Sequence, residues 1–213
     1  MAAKKTTLIF QFKIILLDSS PKIWRRIQLL ETATFWDLHI AIQEAMGWQN
    51  YHLHQFELAQ PNTLGLLRVG MIELDEEPSP EGGEATSWET LIAAYFTRPG
   101  ITSTYEYDFG DGWEHEVLLD GIFIKEGNKK YPTCIAGERA CPPEDCGGIW
   151  GFYNLLEILR TPSHEEYDEM TEWIKDYGTK NQPYGPEFFD STKVKFSDPK
   201  KSLEVALSYL KSL

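Results

Sequence analysis

Basic side chains are scarce in this chain: 20 Lys and Arg stand against 33 Asp and Glu, a formal net charge of −13 over 213 residues. Duplex DNA is held mainly by cations that neutralise phosphates, so this balance argues against specific duplex binding. The basic pairs Lys4-Lys5, Arg25-Arg26, Lys129-Lys130 and Lys200-Lys201 read as solvated surface. Long apolar runs are missing as well. None approaches the ~20 residues that cross a bilayer, and the N-terminal residues carry no signal-peptide core with a cleavage site. The expectation is a cytoplasmic protein without a membrane partner. Cysteine is rare, at three residues, and an odd number in a reducing compartment reads as thiols or metal ligands rather than disulfides. No G-x-x-x-x-G-K-[ST], G-x-S-x-G, H-E-x-x-H or C-x2-C motif is present, so no reaction can be read off directly.

What is present is apolar and aromatic. Hydrophobic residues make up 42% and aromatics 13%, enough for a folded chain with a sizeable core. Phe10, Phe12, Ile14 and Leu16 alternate with polar residues at the period of a half-buried strand, and Asp18-Ser-Ser-Pro21 turns the chain into a partner over 23–30. Thr34 and Asp37 resemble a capping box ahead of an apolar stripe at helical spacing, which Gly47 ends. A strand over 51–58 completes a β-β-α-β opening, an order that also begins a β-grasp core. Residues 75–86 read as an exposed acidic loop, and 88–96 as a short helix capped by Ser87. A second hairpin joins 101–107 to 113–123 through Asp108-Phe-Gly-Asp-Gly112, where glycine tolerates positive φ. Three helices follow: a deeply packed one over 150–159, another over 162–177, and a last one from Pro199 to Leu210 capped by Asp198. The fold class expected is α+β, a mixed sheet with flanking C-terminal helices. Residues 7–195 form the domain, and the helix within 196–213 packs on it.

Residues 131–152 and the hairpin before them hold most of the unusual chemistry. Cys134, Cys141 and Cys146 are separated by six and four intervening residues, beside Pro142-Pro-Glu-Asp145 and Gly147-Gly148. With His115 the thiols could make a structural zinc set, although the spacing is not that of a zinc knuckle; soft packing of the loop is the alternative. His115 falls on the apolar face of its strand, near the carboxylates of Asp108 and Asp111, as either a core histidine or part of an acid/base or metal site. His52 and His54 share a strand face at a spacing that can chelate a metal through both rings. Asp145 reads as the cap of the following helix, with Gly147 and Gly148 allowing a tight turn. In a sharper reading the glycines open the helix N-terminus to an anion.

Together, Trp24-Arg-Arg26, 48–56 (WQNYHLHQF), 105–115 (YEYDFGDGWEH) and 141–148 (CPPEDCGG) resemble the Ri-plasmid open-reading-frame-three-like family over about residues 7–195. The resemblance implies an α+β domain. It also brings a resolvase-like label from association with mobile elements, which the lack of an arginine-surrounded serine does not support. The patches shared with that family fall on His54, Asp108, Asp111, His115, Pro142, Pro143, Glu144, Asp145, Gly147 and Gly148.

Two functions follow. The first is a non-enzymatic module that binds a protein or small ligand in a polar cleft between the 108–115 hairpin and the 141–148 loop. That cleft would be lined by His54, Asp108, Asp111, Trp113, His115, Glu144, Asp145, Gly147 and Gly148. The alternative is a metal-dependent hydrolase or nuclease associated with mobile elements, using Asp108, Asp111, His115, Glu144 and Asp145. The two segments are expected to converge, with His115 beside Asp108 or Asp145, because both place groups costly to bury at apolar positions.

Overall fold

A computed structural model describes residues 6–59, 65–71, 83–177 and 184–210. Strand β1 (Leu8–Leu16) buries Phe12, Ile14 and Leu16 at alternate positions, and β2 (Trp24–Leu30) pairs with it antiparallel from Ile15↔Trp24 to Ile9↔Leu30. Ser19 fastens the turn: its hydroxyl donates to the Leu16 carbonyl (2.6 Å) and accepts from the Ile23 N–H (3.0 Å). Helix α1 (Phe35–Met46) starts at the Thr34/Asp37 capping box and stops at Gly47, whose φ of +104° only glycine adopts freely. Strands β3 (His54–Ala59), β4 (Leu66–Gly70), β5 (Gly83–Thr86), β6 (Thr102–Tyr107), β7 (Trp113–Ile124) and β8 (Thr133–Glu138) complete a mixed sheet. Its order is β5-β4-β3-β6-β7-β1-β2-β8. Three helices follow: α2 (Gly148–Arg160), α3 (Tyr167–Trp173) and α4 (Pro199–Leu210).

The fold is α+β, with the β-β-α-β opening and second hairpin expected from the sequence. β1 runs antiparallel to both β2 and β7, and among the described pairs only β4–β5 is parallel. The central parallel pair of a β-grasp is therefore not built. Ten of the 12 residues of α1 are buried, more than one amphipathic face provides. The reason is a second layer: α4 covers its outer side, the Trp36 indole donates to the Pro199 carbonyl (2.8 Å), and Glu44 accepts from the Ser197 N–H (2.9 Å). The Asp198 cap of α4 is formed through the Lys200 N–H (3.1 Å). Among the described residues no helix is long and apolar enough to cross a membrane.

Four local expectations change. Residues 88–96 form no α-helix, only a 3-10 turn over Ile92–Ala94. Their backbone is committed elsewhere: Thr90 and Ser87 carbonyls accept from Phe35 and Trp36 at the start of α1, and the Ile92 N–H donates to Ala33. Within the acidic 75–86 segment, residues 83–86 make strand β5 beside β4, and 75–82 lie outside the described residues. The 162–177 helix is shorter than expected, because 161–167 proceeds by successive i→i+3 turns before α3 begins. Trp150 is 85% exposed rather than deeply packed, because the helical period turns it away from buried Phe152, Leu155 and Leu156.

Candidate functional site

The second hairpin and the 141–148 loop do meet. The β6–β7 turn places Asp108 at φ +58°, with its Oδ1 accepting the Gly110 N–H (3.0 Å). Behind it, the Gly147 N–H donates to Asp111 Oδ2 (3.2 Å), and Gly148 sits so close that a Cβ there would be 2.4 Å from the Asp111 carbonyl oxygen. The helix cap is Gly147, with no side-chain cap, so Asp145 does not cap α2 as expected. The anion reading of this helix N-terminus is met from within the chain, by Asp111.

Asp145, at φ +57°, faces His52 instead. His52 Nε2 lies 3.2 Å from Asp145 Oδ1 and 3.6 Å from Asp108 Oδ2, and the three ligand atoms fall within 4.8 Å of one another. Nε2 is itself buried, and neither carboxylate meets it at hydrogen-bond geometry. Backbone pairing causes the juxtaposition: β3 joins β6 at His54↔Tyr107, and the Asp108 N–H donates to the Leu53 carbonyl (3.0 Å), which brings the 48–53 segment against the turn. Glu144 also turns inward. It accepts from the Tyr107 hydroxyl (2.6 Å) and the Gln49 N–H (3.0 Å), an arrangement that fixes the loop and, with burial, raises the Tyr107 pKa.

Several expected site residues are elsewhere. His115 is not beside Asp108 or Asp145. Its Nδ1–H donates to the Trp113 carbonyl (3.0 Å), Trp48 lies edge-on to the ring, and burial lowers its pKa to about 4. Trp113 is a fully buried core residue. His54 is buried beneath α1 and stacks on His39 with ring centroids 3.5 Å apart and planes 6° apart, so it cannot chelate together with His52. Both its ring nitrogens lack hydrogen-bond partners, and its pKa is driven down by burial and by His39. His39 was not singled out in the sequence, where it is one polar residue among apolar neighbours. Its ring is held by the Tyr105 hydroxyl (2.8 Å) and Asn50 Oδ1 (2.6 Å), and burial depresses its pKa to about 3. The zinc set of Cys134, Cys141, Cys146 and His115 is not assembled: among the described residues the one converging group is His52, Asp108 and Asp145. The thiols pack instead, Cys141 in the core, and burial pushes Cys146 up to about 12, far from a thiolate at neutral pH.

The plasmid pRiA4b ORF-3-like description matches residues 8–193. The chain belongs to this family. A relative, uncharacterized protein y4hQ of Sinorhizobium fredii, is 31% identical over 196 residues, covering 92% of this chain and 91% of that protein. A solved structure, the protein of unknown function MM3350 from Methanosarcina mazei Go1, superposes with a TM-score of 0.76 at 37% identity. It covers 90% of this chain and 100% of the other.

In this pRiA4b ORF-3-like protein the hairpin and loop are in contact, and open space lies elsewhere. It is a cleft of about 810 Å³ between α1, the 48–53 segment and α4, floored by Trp36, Ile40 and Trp48 and flanked by Tyr51, Leu53 and Val205. Gln43, Gln49, Asn50 and His52 are among its polar groups, and His52 is the member of the His52–Asp108–Asp145 cluster that lines it. Arg25 also departs from expectation. It is 1% exposed, whereas Arg26 reaches solvent and pairs with Asp120 (2.7 Å).

Proposed function

We propose that the protein is a binding module whose small, largely apolar ligand occupies the cleft between α1 and α4. The observation that carries this reading is the cleft itself: about 810 Å³, aromatic walls and a few convergent polar side chains, within the ~300–1,000 Å³ of ligand sites. Binding rather than turnover is favoured by the histidines. His39, His54 and His115 are locked in the core and held neutral, which leaves His52 as the one beside the cleft. A thermal-shift screen with neutral fragments tests the reading, using wild type and Ala206→Trp, which fills the α4 side. Fragments that stabilise wild type should lose their effect in the variant. Hits indifferent to Ala206→Trp, or no hits at all, would rule the reading out.

A second reading, metal-dependent hydrolysis or nuclease chemistry, is supported by the His52, Asp108 and Asp145 ligand atoms lying within 4.8 Å. It expects one Mn²⁺ or Zn²⁺ per chain by calorimetry, abolished in Asp108→Asn, and metal-stimulated cleavage of a phosphodiester. Asparagine tolerates the left-handed backbone at 108, so loss of binding would report ligation rather than misfolding. No heat of binding in wild type would end this reading.

A further inference from the structure

Arg25 lies on β2 with its guanidinium inside the protein. Nε donates to the Ala45 carbonyl (2.7 Å), and Nη1 to the carbonyls of Trp24 (2.8 Å) and Glu138 (3.0 Å). The Phe189 ring stacks 3.7 Å from Cζ. These are three neutral acceptors and a ring, and no carboxylate of the described residues pairs with this cation. Burial depresses the guanidinium, and the groups placed to offset it electrostatically, Cys141, Cys134 and Tyr184, are uncharged at neutral pH. A buried charge without a counter-ion is among the costliest features a fold can carry.

Arg25 lines a second pocket, of about 360 Å³, bounded by the end of α1, residues 140–144 and residues 188–194. Among the described residues its Nη2 has no protein acceptor. Phe188, about half exposed, and Pro142 provide an apolar wall, and Lys193 adds a cation that acts on Asp190. The three carboxylates on the same lining are each in use. Glu44 accepts from the Ser197 N–H, Glu144 from Tyr107 and Gln49, and Asp190 from the Thr192 N–H and hydroxyl. None of the three forms an ion pair with Arg25 among the described residues. Their presence does set the charge of the ligand: a dianion such as a phosphate monoester would meet twice the repulsion from these three charges that a monoanion meets, and a single carboxylate matches the one guanidinium nitrogen left, Nη2.

We propose that this pocket binds a small monocarboxylate with an apolar body, its carboxylate on Arg25 Nη2 and its body against Phe188 and Pro142. The site neighbours the α1–α4 cleft, with Glu44 and Trp48 lining both, but it does not include Ala206. Benzoate is the probe, with benzamide as its neutral counterpart and phenyl phosphate as the dianion, titrated calorimetrically into the full chain. Benzoate should bind, and benzamide and phenyl phosphate should bind at least about tenfold more weakly, the value of a charge-assisted hydrogen bond. Arg25→Met should lose the benzoate heat. If that variant does not fold, two measurements that leave Arg25 in place decide the matter. Benzoate should shift the Arg25 Nε–H resonance of wild type, and Phe188→Glu should weaken benzoate by about tenfold or more through like-charge repulsion. Benzoate should still bind to Ala206→Trp, which separates this site from the cleft. The proposal is overturned by no benzoate binding, by benzamide or phenyl phosphate binding equally well, by an unmoved Arg25 resonance, or by loss of benzoate in Ala206→Trp.

Discussion

Three histidines in the core make the protein sensitive to acid. An unfolded imidazole takes up a proton near pH 6.5, whereas in the fold His115 does so near 4, His39 near 3, and His54 also well below its ordinary value. Below pH 6.5 the unfolded chain therefore binds more protons than the native one. Stability is full above that pH and declines as pH falls, by up to about 1.4 kcal/mol per unit for each histidine. His54→Phe removes one of the three, together with two buried nitrogens that have no partners. Its stability at pH 7.5 should stay within about 1 kcal/mol of wild type, because the lost polar atoms offset any crowding. Urea melts from pH 7.5 to 4.5 should show a slope shallower by about one proton. An unchanged slope would mean that His54 is not the buried neutral group described.

At the scale of elements, the decisive contact is between the start of α2 and the β6–β7 turn. Gly148 has φ +66°, and a Cβ there would lie 2.4 Å from the Asp111 carbonyl oxygen, a backbone atom unable to move aside cheaply. Gly148→Ala should cost about 3 kcal/mol. Gly185→Ala, whose methyl meets only Phe188 Cβ at 3.8 Å, should melt like wild type. Equal melting of the two would show that α2 does not dock through Gly148. Most of these elements were legible from the sequence, because the information for each is local. The period-2 alternation of 10–16 gave β1, and Thr34, Asp37 and Gly47 marked both ends of α1. The failures were also physical. Residues 88–96 have helical composition, but their carbonyls cap α1. Trp150 belongs to an apolar segment, yet α2 is covered on one side only.

For the whole molecule the net charge of −13 governs encounters with other polyanions. The structure reduces the basic surface further: Arg25 is withdrawn into the core, and Arg26 and Arg139 are paired with Asp120 and Glu187. A gel-shift titration with duplex DNA at about 0.15 M salt should show no retained complex. A band that survives at that salt would overturn this expectation and favour a role on nucleic acid.

The sequence by itself determined the α+β class, the order of the opening elements, the acidic surface and the meeting of the 108–113 turn with the 141–148 loop. All of these follow from periodicity, capping chemistry and the residue types concentrated in two segments. Tertiary structure alone decided which polar groups face one another. Strand alternation gives the face on which His115 lies, and that face proved to be the core. The partner of Asp108 and Asp145 became His52, because β3–β6 register and the Asp108-to-Leu53 hydrogen bond bring the 48–53 segment to the turn. Arg25 reads from its neighbours as surface, and it is buried because Ala45, Glu138 and Phe189 close around it from distant parts of the chain. Burial of a charge depends on what packs over it, and local sequence does not carry that information.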